Sequence, residues 1–388
     1  MRLIIIDPGL MELSGHHFNY NKAIFDECKS RGIDVSIYAH MGCHKELMDI
    51  LPITPSFEHN TYDYQVISSK EEMIYKFNVM NDTIARDLFD HVETPLSADD
   101  VILMLTSTVH QIVGIHTWYS SLPHPRPRVC LQFMHQPWYL GFAEDPDFCT
   151  SLLREAMGAW EGGEDCRITF AADNDLLASF LHKVSGFPIS ILPMPIQYPA
   201  EPVGVVRKEP GRVRFGFLGD GRLEKGLHHF VRAILAQAEE NIPNADFFIH
   251  ISNQSGREAQ DILKDVANCT VLCQQLSGKE YWDLAESCDV IMLPYDPKYY
   301  YIRGSGILFE AMGLGKPIIV TAGSCLDWLM AKHQGAGMRF DSTTASLLAA
   351  IGTIAASYGD FEAVARVAGR TVREKHNPKA FIDALMAV

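Results

Sequence analysis

The sequence predicts an α/β protein made of two consecutive doubly wound, Rossmann-like halves, each a parallel sheet wrapped by helices. Short apolar runs recur along the chain and alternate with helix-length segments, as buried parallel strands and crossover helices do. The alternation is interrupted between Pro195 and Pro210, where four prolines fall with little periodicity, the mark of a linker. At 388 residues the chain exceeds one ordinary core, so two domains are expected. Their expected bounds are 1–198, a linker over 199–210, and 211–388, with the terminal helix free to pack back on the first domain.

The elements follow in order. Arg2-Leu3-Ile4-Ile5-Ile6-Asp7 reads as a buried strand, Pro8 to Gly15 as a loop, and His16 to about Arg31 as a helix that Gly32 ends. Asp34 to Ala39 alternates as the next strand, completing a βαβ unit. Ser14-Gly15-His16-His17 thus stands at the carboxyl end of the first strand, where open α/β sheets bind ligands, although a tight turn explains one glycine equally well. Residues 40–70 show no clear period. A helix from Glu71 to about His91, a strand over Asp99–Leu105 and a helix through His110 and His116 come next. Val129 to Met134 is a strand ending at His135, with Pro137 two residues on. That histidine either faces a cleft or satisfies loop backbone groups. Arg167–Ala172, a helix from Asp173 to about Lys183, and Ile189–Pro195 close the first half.

In the second half, Arg212–Leu218, Ala245–Ile251, Thr270–Cys273, Asp289–Pro294 and Ile318–Thr321 read as strands. Helices are expected over Leu227–Glu240 and Tyr281–Ser287, and after a final strand over Ser342–Ser357 and from about Phe361. Gly219-Asp220-Gly221-Arg222-Leu223-Glu224-Lys225-Gly226 joins the first of these strands to its helix. A glycine-bearing loop with two cations in that place suits phosphate, and a solvated loop is the alternative.

The segment from Tyr301 to Pro317 carries most chemical information. Ser305 is a natural N-cap, Gly315 a natural stop, and Pro317 prevents continuation. Between them Ile307, Leu308, Phe309, Ala311, Met312 and Leu314 leave no polar face, so the helix belongs in the interior. Its one charge, Glu310, therefore needs a partner. Gly304-Ser305-Gly306 brings bare N–H groups to the helix N-terminus, a place for phosphate, with Glu310 one and a half turns on for ribose hydroxyls. A core helix whose Glu310 pairs with an arginine such as Arg303 fits the same residues.

Composition narrows the function. A hydrophobic content of 47% with 21% charged residues describes a soluble globular chain. No apolar run reaches the length of a membrane span, and Asp7 and Pro8 cut Leu3–Ile6 short, so no signal peptide is expected. Nine cysteines without a C-x-x-C read as reduced thiols in a cytoplasm. Sixteen scattered histidines without paired ligand spacing give no metal site. Net charge is −15, and residues 1–200 hold 13 Lys and Arg against 26 Asp and Glu. That balance argues against nucleic acid as a partner. An anionic membrane attracts about 1 kcal/mol per basic residue near it, so strong electrostatic docking of the first half is not expected either.

Gly219-x-x-Arg222-x-x-Lys225-Gly226, the strand Asp289–Tyr295, and Ser305-Gly306-x3-Glu310-Ala311-Met312-x-x-Gly315-Lys316-Pro317 resemble the GT4-type retaining glycosyltransferases (glycosyl transferases group 1) of GT-B fold. The match is specific over about 212–325 and agrees in layout elsewhere. The resemblance implies transfer from a nucleotide-diphospho-sugar to a hydroxyl of a glycan, of a lipid-linked acceptor or of another cell-surface precursor, with no cofactor and no obligatory metal. It implies that Arg222 and Lys225 hold the diphosphate, that Ser305 and Gly306 add backbone donors, and that Glu310 binds ribose. Gly15 would lie beside the donor phosphates, and His135 or His110 would approach the sugar. The departing phosphate would take the acceptor's proton, so no side-chain nucleophile is expected. Two departures stand out: Ile302 occupies the place of a second family glutamate, and Asp220 that of an arginine following the first glycine. A nucleotide-sugar epimerase of the same fold, or a non-catalytic nucleotide-sugar-binding protein, is the alternative.

Overall fold

Thirteen strands form two all-parallel sheets in a computed structural model that describes residues 1–388 except 64–66, 94, 163–165, 200–210 and 241–243. The chain divides into two units, Met1–Pro195 with Pro378–Val388, and Ile196–Asn377. Residues 196–198, expected in the first domain, thus belong to the second. There the Tyr198 hydroxyl donates to the carbonyl of Phe309 at 3.1 Å, and the Arg373 guanidinium lies 5.1 Å from its ring centre. Most of the expected linker, 200–210, lies outside the described residues.

The first unit holds β1 (Arg2–Asp7), β2 (Asp34–His40), β3 (Ile53–Phe57), β4 (Val101–Met104), β5 (Arg128–Phe133), β6 (Ile168–Ala172) and β7 (Ile189–Ile191) in the order 3-2-1-4-5-6-7. β1 is central, with Leu3 opposite Val35 on one side and Val101 on the other, and Leu3 to Ile6 have no exposed surface. A run buried on both faces needs apolar residues at every position, which is why β1 shows no alternation. Strand order reverses between β1 and β4, so the crevice outside their carboxyl ends is this unit's natural binding place.

Helix Lys45–Ile50 and β3 occupy the stretch without period, and helix Pro146–Gly158 was likewise not expected. Asp145 caps that helix through Phe148 N at 2.9 Å and pairs with Lys70 at 2.5 Å. The helix placed through His110 begins only at Ile112, which leaves His110 in the preceding turn. Pro378 breaks the terminal helix in two, Tyr358–Lys375 and Pro378–Ala387. The second piece belongs to the first unit, where Arg31 reaches Asp383 at 2.7 Å and Arg128 donates to the carbonyl of Val388 at 2.7 Å.

The second unit holds β8 (Val213–Leu218), β9 (Ala245–His250), β10 (Cys269–Leu272), β11 (Val290–Leu293), β12 (Ile318–Thr321) and β13 (Gly337–Phe340) in the order 10-9-8-11-12-13. Its core includes stacked Phe215 and Phe247, ring centres 6.1 Å apart, with Phe230 5.8 Å from Phe247. Helices Gln254–Leu263 and Cys325–Lys332 add to those expected. Strand order reverses between β8 and β11, so the loops after these two strands flank the unit's binding crevice. Among the described residues no single helix is long and apolar enough to cross a membrane, and no disulfide joins the nine cysteines.

Candidate functional site

The loop after β8 is held by backbone geometry. Gly219 turns at φ +109°, and a Cβ there would lie 2.9 Å from Ile307 Cδ1 and 3.7 Å from Lys225 Nζ. Leu223–Lys225 form a 3₁₀ turn that Gly226 ends at φ +70°. A Cβ on Gly226 would overlap the carbonyl oxygen of Pro294, just past β11. Asp296 N donates to the carbonyl of Glu224 at 2.9 Å. The cation-bearing loop is thereby fastened to the chain that leads into the 301–317 segment.

Within it, Arg222 Nε lies 2.7 Å from Asp220 Oδ2 and its NH1 3.2 Å from Glu224 Oε1. Asn253 Nδ2 donates to the other Asp220 oxygen at 2.9 Å. Lys225 is only 9% exposed, with Nζ 5.8 Å from the Tyr295 ring centre. Burial, and then the neighbouring Arg222 charge, lower its pKa to about 8. A lysine carries its charge below its pKa, so at neutral pH the ammonium is present and is lost as pH rises through about 8. Affinity for a nucleoside diphosphate should therefore fall above pH 8 in calorimetric titrations. Lys225→Arg should flatten that profile, because arginine keeps its charge.

Helix Gly306–Gly313 begins at Ser305, which occupies the N-cap position without a side-chain capping bond. Sequence reasoning expected the hydroxyl to cap; instead the first N–H groups are left to other acceptors. Glu310, half-buried, accepts a hydrogen bond from the Tyr281 hydroxyl at 2.6 Å. Burial pushes its carboxyl pKa up, while that hydrogen bond and the Lys225 charge pull it down. The Arg303 guanidinium lies 4.8 Å from the Tyr300 ring centre. Tyr281, on helix Gly278–Ser287, escaped sequence reasoning because nothing local marks a tyrosine as a carboxylate's partner. The far end of the helix is tied by Arg373 Nε donating to the carbonyl of Gly313 at 2.6 Å and by Gly315 at φ +68°. The second unit thus brings together Arg222 and Lys225 on the loop after β8 with Ser305, Gly306 and Glu310 on helix Gly306–Gly313 and its N-cap, beside its strand reversal.

Gly15 and His135 belong to the first unit. Gly15 opens helix Gly15–Ser30 at φ +77°, and a Cβ there would meet nothing within 4 Å. His135, half-buried, lines a small hollow at the ends of β4 and β5 with Ser107, Thr108, Val109 and Phe133. Its ring centre lies 4.8 Å from that of Tyr139 and 6.5 Å from that of Tyr62. His110 is buried. At the end of β1, His16 and His17 of the segment read from the sequence belong to a cluster whose partners, Asp7 and Tyr62, were not foreseen. Asp7 is 2% exposed, and its Oδ1 is 2.7 Å from His17 Nδ1. His17 Nε2 is 3.0 Å from the Tyr62 hydroxyl, which is 3.2 Å from His16 Nε2. Paired histidines following a strand that ends in aspartate were the available signal. Among the described residues no three His, Cys, Asp or Glu side chains are grouped to hold a metal ion.

Two doubly wound units of this kind, with seven and six parallel strands, have the architecture of the GT-B fold. No family model and no curated protein sequence matches the chain. Solved structures match it throughout. It is similar to WaaG, a glycosyltransferase involved in lipopolysaccharide biosynthesis, at TM-score 0.66 and 13% identity over 100% of this chain and 99% of that one. It is similar to the trehalose-6-phosphate synthase OtsA at TM-score 0.66 and 14% identity, again over 100% and 99%. Anabaena HepE, solved with UDP and glucose, matches at TM-score 0.65 and 12% identity over the full length of both chains. The likeness is one of fold, and these neighbours are glycosyltransferases of the GT-B class.

Proposed function

We propose that the protein is a retaining glycosyltransferase of GT4 type. It moves a sugar from a nucleotide-diphospho-sugar to a hydroxyl of a glycan or another cell-surface precursor, without a metal. The observation that carries this reading is the fastening of the Arg222–Lys225 loop to the segment before Glu310 through Gly226 and Pro294. That arrangement places two cations, an uncapped helix N-terminus and a half-buried carboxylate at one strand reversal.

Each group then has a task. Arg222 and Lys225 bind the diphosphate, the arginine exchanging Asp220 and Glu224 for phosphate oxygens. The N–H groups at Gly306 add donors aligned with the helix dipole. Glu310, oriented by Tyr281, accepts from ribose hydroxyls. As the glycosidic bond breaks, negative charge grows on the leaving diphosphate, and fixed positive groups stabilise that charge more than the bound donor. Gly15 and His135, at the strand ends of the first unit, are assigned to the donor phosphates and the sugar on family resemblance. Solved neighbours bound to UDP and to UDP-glucose favour a uridine nucleotide as the first donor to try.

Transfer, rather than epimerisation, requires that nucleoside diphosphate be released and that the sugar appear on an acceptor. With two side-chain cations doing the work of a metal, UDP release from UDP-glucose should survive EDTA. Complete loss that Mg²⁺ or Mn²⁺ restores would overturn the metal-free part of the proposal.

A further inference from the structure

The helix that carries Glu310 has 8 residues, Gly306–Gly313, too few to hold a fixed position without tertiary contacts. Several of those contacts come from beside the two points where the chain enters and leaves the second unit, Ile196 and Asn377. At the entry, the Tyr198 hydroxyl donates to the carbonyl of Phe309 at 3.1 Å. At the exit, Arg373 Nε donates to the carbonyl of Gly313 at 2.6 Å, and the His376 ring centre lies 4.1 Å from that of Phe309. The two ends also meet each other, since the Arg373 guanidinium lies 5.1 Å from the Tyr198 ring centre. Glycines make the approach close. A Cβ on Gly313 would lie 2.1 Å from Tyr198 Cε1, and one on Gly369 would lie 2.5 Å from the carbonyl oxygen of Met312.

These ties converge on the residues around the carboxylate. Phe309 immediately precedes Glu310, whose own side chain accepts from Tyr281 at 2.6 Å. Trp282 joins the two tyrosines, its ring centre 5.9 Å from that of Tyr281 and 6.1 Å from that of Tyr198. The Glu310 charge is felt at Tyr198, where burial and then that charge push the hydroxyl's pKa up. Arg373 sets a cation on a carbonyl at the helix C-terminus, where the helix dipole favours positive charge and the hydrogen bond is charge-assisted. Neither residue lies on the phosphate loop or at the helix N-terminus.

We propose that Tyr198 and Arg373 are positioning residues for Glu310, and that nucleotide binding is thereby coupled to the two ends of the second unit. The inference rests on the reading of Glu310 as a nucleotide-binding group and adds residues that touch no nucleotide. Ribose hydroxyls on Glu310 restrain its helix, and a restrained helix restrains the tyrosine and arginine that hold its carbonyls. Coupling of this kind is reciprocal, so loosening either tie weakens nucleotide binding by the factor that binding would have tightened the tie.

Hydrogen exchange of the full-length protein with and without UDP, and with GDP and ADP in separate arms, tests this. In the wild type a bound diphosphate should slow exchange at 219–226 and 306–313, and also at 196–199 and 370–377. Tyr198→Phe, which removes only the hydroxyl, and Arg373→Gln should each weaken binding about tenfold, an ordinary size for coupling between sites. Both variants should keep the protection at 219–226 and lose it at 196–199 and 370–377. Arg373→Lys should recover part of the affinity, because an ammonium can still donate to the Gly313 carbonyl. Protection confined to 219–226 and 306–313 in the wild type would refute the coupling while leaving the nucleotide site standing. Losses of affinity that merely follow a lower melting temperature would refute it as well. Protection at none of these segments with any of the three diphosphates would remove the nucleotide site itself, and the coupling with it.

Discussion

Arg222→Ala should lower kcat by about 10²–10³, equivalent to about 2.7–4 kcal/mol of lost transition-state stabilisation, while raising the donor KM far less. The reason lies in when the charge appears. The bound donor already carries two phosphates, but the leaving diphosphate gains charge as the glycosidic bond lengthens, so a fixed guanidinium matters most at that moment. Arg222→Lys should restore part of the rate, because an ammonium supplies charge without the two-pronged geometry. Asp220→Asn should have a small effect, since Asp220 holds Arg222 at 2.7 Å only until phosphate replaces it. Steady-state kinetics with varied UDP-glucose separates the two parameters. Near-normal kcat in Arg222→Ala beside a crippled Asp220→Asn would show that the phosphate loop is misplaced.

Gly226→Ala should destabilise the protein by about 2–4 kcal/mol and abolish diphosphate binding. Two costs add there: a left-handed backbone for a residue with a side chain, and overlap with the Pro294 carbonyl. Gly15→Ala is the control. It shares the positive φ but has open space where the Cβ would go, so about 1 kcal/mol is expected. Thermal or urea unfolding of both variants measures the difference. Equal effects would mean that the loop is not fastened to β11 as described.

Much of this site was legible in the sequence because its parts are local. The Gly219–Gly226 loop and the Ser305–Pro317 segment each carry their own turn residues, cations and caps within a few positions. The strands announced themselves because β1, β8, β11 and β12 are buried and nearly all apolar. What was not legible depends on folding. Helix Gln254–Leu263 buries Gly256, Ala259 and Leu263 at helical spacing, but two of the three are small, so no run of large apolar residues marks it in the sequence. The low pKa of Lys225 arises from burial beside Arg222, and no neighbour in sequence reveals that burial. Tyr281 reaches Glu310 across 29 positions, and Tyr62 reaches His17 across 45, so neither pairing leaves a local trace. Ser305 has the identity and position of a cap, but the folded chain does not use its hydroxyl as one.

The claim that the second unit binds a nucleoside diphosphate through Glu310 is the one on which the transferase reading stands. Calorimetric titration of the wild-type and Glu310→Gln proteins with UDP, GDP and ADP tests it in one experiment. At least one diphosphate should bind the wild type, and Glu310→Gln should weaken it by about 1–3 kcal/mol, the loss of a charged hydrogen bond. The fold should survive, since glutamine nearly preserves volume. Binding of none of the three, or equal binding to both proteins, would contradict the assignment and leave Glu310 as the partner of Tyr281 alone.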